Sequence, residues 1–418
     1  MKSSLQHRRF LSHKLVCIPT YDRPEGICDF VFRTAGELAA QNVVIILALG
    51  ESWRGKTGWK HWLNGVTQAR SFLPLRTADQ LKALRQPIYL GVFQFLPFQR
   101  FSFSKYLNLQ LNLLLFSLLI GRQQPDAQRI LWIFHPQDID VLPFFKSWHL
   151  HFDCVDWHTT MDVQSRQKLD QQRRLLIQAA RSITVLTRPV LSRIEPLAQI
   201  APRQVPQGFD LQGFKTPTQP PLAVRRKLQK LRKETRPLIG FFGGVNQRLD
   251  VEMLLRVTQQ HPEWNFLFVG PRGKDQSVGQ SEASEKKLDQ LLRKTNVTWI
   301  QLLKRNQLLP MMKECDVLIV PYDLQWEFNV CCFPMKIMEY FFAQRPVVST
   351  PIPSLLDYKE FIFFGNTSRQ FSRAIQKALQ VKWSKDQQQK LRNIALNQTW
   401  KRKLDSVDEY LSEMIPST

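Results

Sequence analysis

Acidic side chains and long apolar runs are both scarce in this chain of 418 residues, and each shortage narrows its class. Asp and Glu number 35 against 58 Lys and Arg, a formal net charge of +23 at pH 7. Such an excess attracts polyanions, whether phosphorylated small molecules, anionic lipid headgroups or nucleic acid. No aromatic-interleaved RNA motif, zinc-finger spacing or basic heptad array accompanies the charge, so nucleic acid is not favoured as a partner. No run of eighteen apolar residues exists. Leu107 to Ile120 comes closest, is broken by Asn108, Gln110, Asn112 and Ser117, and reads as a buried domain helix. The neighbouring FQFLPFQRFSFSKY mixes aromatic and basic residues and is the candidate for contact with a membrane interface. The basic amino terminus has no apolar core of signal-peptide length. Cysteine is sparse too: the six (Cys17, Cys28, Cys154, Cys315, Cys331, Cys332) form no C-x-x-C pair, which predicts reduced thiols in the cytoplasm.

What is present is alternation of strand and helix. The segment from Arg236 reads as a strand (Leu238 to Phe242), a Gly243-Gly244 turn, a helix (Val251 to Gln260) and a second strand (Phe266 to Val269). Its glycine spacing is not G-x-G-x-x-G, so a nicotinamide cofactor is not favoured. Helices are expected over Lys286–Lys294 and Leu308–Cys315, with Val297–Leu302 a strand between them. From Cys315 to Pro353, two strand-like runs (Val317–Val320 and Pro346–Thr350) enclose a helical segment, Met335 to Ala343, that begins after Pro334. Lys336 and Glu339, three positions apart, project from one face of it. A cation beside the free N–H groups of a helix start suits a diphosphate, and a Glu one turn on suits sugar hydroxyls. The plain alternative is a surface ion pair. Arg248 lies where a second cation could reach a phosphate, and Tyr322 closes a strand at its carboxyl end, where α/β proteins bind ligands.

Pro334, Met335, Lys336, Glu339, Tyr340, Ala343 and Pro346-Val347-Val348 together resemble the P-x-K-x-x-E-Y donor signature of GT-B glycosyltransferases, in particular bacterial surface-polysaccharide enzymes (family 4-like and glucuronosyltransferase-like). The resemblance spans roughly residues 236 to 356. It implies an α/β fold of two Rossmann-like domains facing a cleft, with a carboxyl-terminal helix crossing back to the first domain. It also implies that Lys336 contacts the donor diphosphate, that Glu339 contacts the ribose or donor sugar, and that Gly243, Gly244 and Arg248 form the first donor loop. Relatives with two glutamates eight positions apart would place the first at Cys331, which is not acidic. The implied reaction is transfer from a nucleotide diphosphate sugar, UDP-sugar favoured, to a glycan or lipid-linked acceptor, with no cofactor and no essential metal, in the cytoplasm or at the inner face of the plasma membrane. Alternatives are a nucleotide-sugar epimerase and a non-catalytic polyanion-binding protein on a degenerate transferase fold.

The expected organisation is an acceptor-side domain over 1–210, a linker over 211–236 with the basic run RRKLQKLRKETR, a donor domain over 237–385 and a helical segment over 386–418. In the first domain, strands over Lys14–Pro19, Val43–Leu49, Pro87–Phe93, Arg129–Phe134 and His151–Val155 end at loops that should face the cleft. One such loop holds Asp156, which follows its strand directly between Val155 and Trp157 and is the candidate general base. In the resembled family a strand-end Asp before an Arg-rich helix has that role; Arg173-Arg174 and Ala180–Thr187 match the followers here. Asp153 and His158 are rivals, and a helix cap is the structural alternative for Asp156. Asp22, Arg23, His135 and His158 are candidate acceptor-side residues.

Overall fold

The structure, a computed structural model, describes residues 11, 14–21, 30–49, 85–91, 102–121, 128–233, 235–273, 278, 281–301 and 303–414. The first half comprises β1 (Leu15–Thr20), α1 (Phe30–Leu38), β2 (Val43–Ala48), β3 (Ile88–Gly91), α2 (Ser102–Gly121), β4 (Arg129–Ile133), β5 (His149–Cys154), α3 (Val163–Ala179), β6 (Ser182–Val185), α4 (Arg188–Ile194) and β7 (Arg203–Gln204). Two helices, α5 (Gln212–Lys215) and α6 (Leu222–Lys233), follow, so the basic run between the sheets is helical. The second half contains β8 (Leu238–Phe242), α7 (Val251–Gln260), β9 (Asn265–Val269), α8 (Glu282–Leu292), β10 (Val297–Ile300), α9 (Leu308–Glu314), β11 (Val317–Val320), α10 (Glu327–Cys331), α11 (Lys336–Phe342), β12 (Val347–Ser349), β13 (Ile362–Phe364) and α12 (Ser368–Gln380). The chain closes with α13 (Lys385–Leu396) and α14 (Trp400–Met414).

Both sheets are parallel. The first has the order β3-β2-β1-β4-β5-β6-β7 and the second β10-β9-β8-β11-β12-β13. Strands β1, β2 and β8 are buried along their whole length, which is why they read as continuous apolar runs rather than alternating ones. Each sheet reverses its winding once, between β1 and β4 and between β8 and β11. A crevice opens at the carboxyl ends of the two strands flanking such a reversal. Gly243 and Tyr322 sit there in the second sheet, Tyr21 and His135 in the first.

Three expectations are corrected in detail. Helix α8 begins at Glu282, four residues before the expected Lys286, because Ser281 accepts from the Ser284 N–H in a capping box. The apolar stretch around Leu107–Ile120 is helical, but α2 is buried on one side only: Asn108, Leu109, Asn112 and Leu113 point inward, while Phe103 is 73% and Tyr106 54% exposed. Asp386 to Met414 is two helices, broken over Asn397–Thr399. Of these, α13 packs on α11, whereas α14 returns to α1, placing Leu404, Val407 and Leu411 against Val16, Ile18 and Ala35.

The chain therefore crosses between the halves twice, side by side. Phe209 N–H donates to the Gln398 carbonyl at 2.5 Å, and a Cβ on Gly208 would strike the Trp400 backbone. Helix α14 is anchored electrostatically as well. Lys403 Nζ donates to Asp153 Oδ2 at 2.7 Å and to Gln207 Oε1 at 2.8 Å, with the Lys403 and Asp153 side chains only 1% and 3% exposed. Removing one member of such a pair leaves a desolvated charge without its partner. Lys403→Met should accordingly lower the unfolding free energy by about 3–5 kcal/mol in urea denaturation, and Lys403→Met with Asp153→Leu should recover most of that loss. An unchanged midpoint for the single variant would show that the pair does not anchor α14.

Candidate functional site

A cleft of about 600 Å3 lies between the two halves. Asp156, Val155, Leu186 and Phe30 face it from the first half; Gly243, Gly244, Arg248, Tyr322, Met335, Lys336 and Glu339 face it from the second. The eight candidates for this cleft thus line one space, although they come from four stretches of chain.

Lys336 is at its centre. The side chain leaves the first residue of α11 and runs beneath the turn that ends β8, so that Nζ donates to the Tyr322 hydroxyl at 2.8 Å and stands 4.1 Å from the Phe241 ring centroid. The residue is 9% exposed, and among the described residues no carboxylate lies within ion-pair distance of its ammonium. It is therefore not half of a surface pair with Glu339. A nearly buried cation met only by a hydroxyl and aromatic faces lacks a compensating negative charge.

Two glycines make room for it. Gly243 has φ +149°, and a Cβ there would come within 2.5 Å of Lys336 Nζ. Gly270, at φ +148°, lies under Gly243 so closely that any side chain would collide with the Gly243 carbonyl. The turn is pinned by Gly243 N–H donating to the Val269 carbonyl and by Val245 N–H donating to the Pro271 carbonyl, both at 2.9 Å. Tyr340 ties α11 to both strands at the reversal: its hydroxyl accepts from Phe242 N–H at 3.0 Å and donates to the Ile319 carbonyl at 3.3 Å.

Arg248 reaches the cleft across from Lys336. Its Nε donates to Asn329 Oδ1 at 2.9 Å, and the guanidinium is sandwiched between the Tyr322 and Phe328 rings, 4.6 and 4.5 Å from their centroids. Its Nη2 donates to Cys332 Sγ at 3.5 Å, and stacking of this kind fixes the guanidinium plane at the cleft wall. Glu339, 7% exposed, is held by Arg305, whose Nη2 donates to Oε1 at 2.6 Å. The expectation of free N–H groups at the start of this helix needs correcting. α11 has seven residues, and the Ile337 and Met338 N–H groups donate to the Pro334 and Met335 carbonyls. Side-chain cations, not the helix end, carry the positive charge of this site.

Asp156 stands on the opposite wall, half-buried, two residues after the end of β5. The cap of α3 is Asp162 and not Asp156: the Asp162 side chain accepts from Ser165 N–H at 2.8 Å. The rival Asp153 is turned away into the ion pair with Lys403. His158 belongs to a second cavity, of about 690 Å3, at the reversal of the first sheet. His135, Tyr21, Asp140, Lys168 and Gln172 also line it, and Phe328 separates it from the cleft. The His135 and His158 rings lie 4.2 Å apart. Burial, with His135 and Arg173 nearby, pushes the His158 imidazole well below its ordinary range, so it is neutral at physiological pH. Its Nε2 is buried and has no hydrogen-bond partner among the described residues. Asp22 and Arg23 lie outside the described residues. Cys331, at the position where an acidic residue was looked for, is turned from the cleft into the apolar core of the first half, and its carbonyl accepts from the Thr187 hydroxyl at 2.7 Å. Burial pushes its thiol up to about 11.

Arg305, Asp210 and Asn329 were not anticipated. Each is a single polar residue with no spacing pattern to mark it, and only the folded chain brings Arg305 to the cleft, Asn329 of α10 against Arg248, and Asp210 against Arg305.

Comparison with known proteins agrees with this geometry. Residues 236–381 match the family model of glycosyl transferases group 1. "Putative teichuronic acid biosynthesis glycosyltransferase TuaH" of Bacillus subtilis (strain 168) is 26% identical over 339 residues, covering 75% of this chain and 82% of that protein. Among solved structures, sucrose-phosphate synthase from Thermosynechococcus elongatus superposes with a TM-score of 0.66 at 13% identity, over 96% of this chain and 99% of that one. Anabaena HepE, crystallised with UDP and glucose, gives 0.61 at 12% identity, over 96% and 100%. The chain is a glycosyltransferase of GT-B fold. Its group 1 signature lies in the half that holds Lys336 and Glu339.

The glycine turn supplies a test with an internal control. Gly243→Ala forces a side chain into positive φ and against Lys336 Nζ, and should cost about 1–3 kcal/mol. At Gly244 an added Cβ meets only Asn246, at 3.3 Å, so Gly244→Ala should be nearly neutral. Equal denaturant midpoints for the two variants would contradict the described turn.

Proposed function

We propose that this glycosyltransferase moves a sugar from a nucleoside diphosphate donor, a UDP-sugar by preference, onto a hydroxyl of a glycan or lipid-linked acceptor in surface-polysaccharide assembly. The observation that carries the reading is the nearly buried Lys336 ammonium, which among the described residues has no carboxylate in reach and faces the cleft beneath a glycine turn. A diphosphate supplies the missing charge. TuaH, by its name, and HepE, by its bound UDP and glucose, support the same substrate class.

In this mechanism Lys336 and Arg248 meet the charge that develops on the departing diphosphate as the bond from its oxygen to the anomeric carbon breaks. These fixed cations take the part that a divalent metal plays elsewhere, and no cofactor enters the reaction. Glu339 accepts hydrogen bonds from donor hydroxyls. The acceptor oxygen forms the new bond to the anomeric carbon, and its proton passes to Asp156 across the cleft. The second cavity receives the acceptor: its polar lining suits a polyhydroxylated molecule, and the buried Nε2 of His158 has, among the described residues, no partner of the kind a hydroxyl would be.

A panel of UDP, GDP and ADP in thermal unfolding tests the donor site. One of them, at a hundred times its dissociation constant, should add about 2.7 kcal/mol to the folded state. Lys336→Ala should abolish that gain, whereas Asp156→Asn should keep it and lower turnover about a hundredfold or more. Stabilisation that persists in the Lys336 variant would sink the phosphate assignment.

The exposed Phe103, Tyr106 and Leu111 of α2 give the +23 chain an apolar foothold for peripheral contact with an anionic bilayer. Co-sedimentation should be strong with phosphatidylglycerol vesicles, weak with phosphatidylcholine alone, and reduced by Leu111→Glu. Binding indifferent to that substitution would remove α2 from the contact, and self-association through the same face would appear as a dimer in light scattering.

A further inference from the structure

One chain of charges runs from the cleft to the opposite half of the molecule. Glu339 Oε1 accepts from Arg305 Nη2 at 2.6 Å, Arg305 Nε lies 3.0 Å from Asp210 Oδ2, and that same Oδ2 accepts from Arg33 Nη2 at 2.8 Å. Arg33 belongs to α1 of the first half, Asp210 to the segment joining the halves, and Arg305 to the turn after β10. The two carboxylates are almost fully buried, with side chains 9% and 10% exposed, and two guanidiniums balance them. Arg305 is packed as well as paired. Its guanidinium lies 5.4 Å from the Phe214 ring centroid, and a Cβ on Gly213 would come within 2.9 Å of its side chain.

We propose that Arg305 is a positioning residue of the donor site: it holds Glu339 so that the free Oε2 accepts donor hydroxyls, and it braces that carboxylate against the first half through Asp210 and Arg33. The inference rests on the reading that Glu339 receives donor hydroxyls. A planar guanidinium can engage two carboxylates along different edges at once, which an ammonium cannot do with the same directional control. Without it, Glu339 would be an uncompensated buried carboxylate, free to rotate or to take up a proton, and it would accept a hydroxyl less well. Asp210 does not line the cleft, so it acts on the donor through the side chains it holds, Arg305 foremost.

The test is a double-mutant cycle on the dissociation constant of whichever of UDP, GDP and ADP stabilises the wild type, measured by titration calorimetry. Arg305→Met and Glu339→Gln are each expected to weaken binding about tenfold, the double variant no more than either alone, and Asp210→Asn by a smaller factor. Arg305→Lys, which keeps the charge and loses the fork, should recover binding only in part and serves if the Met variant does not fold. Additive losses would overturn the proposal, since Arg305 would then meet the nucleotide directly. So would a normal affinity in Arg305→Met alongside a weakened Glu339→Gln. If Glu339→Gln itself binds normally, the assignment of Glu339 to donor hydroxyls fails, and this inference with it.

Discussion

A nearly buried ammonium with no carboxylate beside it among the described residues is the constraint around which the second half is organised. Lys336 stays there because Gly243 leaves space for Nζ and Gly270 lets the Gly243 turn fold down. The Tyr322 hydroxyl and the Phe241 face supply its local partners. These contacts come from β8, β9, β11 and α11, the elements that meet where the second sheet reverses its winding. Tyr340 locks the arrangement by bonding the main chain at the ends of both β8 and β11. A cation so placed is costly in an empty cleft and favourable in one that holds a diphosphate. Some folding free energy is thereby traded for pre-organisation toward the ligand.

The same economy governs the joint between the halves. Helix α10 belongs to the second half by chain order, yet Glu327 reaches Arg166 at 2.8 Å and Arg193 at 3.5 Å in the first, and Cys331 is buried in the first half's core. Helix α14 makes the converse crossing, with its ammonium inside the ion pair to Asp153. Contacts of both kinds hold the two sheets at one cleft, so Asp156 is presented to Lys336 by the joint and not by either sheet alone. The placement of Cys331 follows from this. A carboxylate there would be desolvated in an apolar core, whereas a neutral thiol fits.

The sequence shows the fold more fully than it shows the site. β8, α7 and β11 are bounded as their apolar runs and breakers suggest, because local patterning and burial agree there. Lys336 and Glu339 were legible because helical spacing forces them onto one face. Arg305 and Asp210 were not, since they are 95 positions apart in sequence and meet only through tertiary packing. Nor was the pairing of Asp153 with Lys403, across 250 positions, which removes Asp153 from the contest for the base. The burial of Asn108 and Asn112 while Phe103 is exposed runs against hydropathy, and no periodicity argument would have oriented α2 that way.

Net charge and site charge are separate matters in this protein. The cations that make up the excess of +23 are mostly on solvated faces, such as the Arg and Lys residues along α6, where salt screens them and no geometry selects a partner. The buried ones are few, and the others have defined partners: Lys403 with Asp153, Arg173 with Asp170 and the His158 carbonyl. Lys336 differs in being buried, uncompensated and directed into a cavity at once. A protein that merely collected polyanions would gain nothing from desolvating a cation beneath a glycine turn, because a surface lysine attracts phosphate at long range equally well. Burial restricts the cation to an anion small enough to enter the cleft and shaped to meet Arg248 on its far side. That selectivity is what a group-transfer enzyme requires and what a general polyanion binder has no use for.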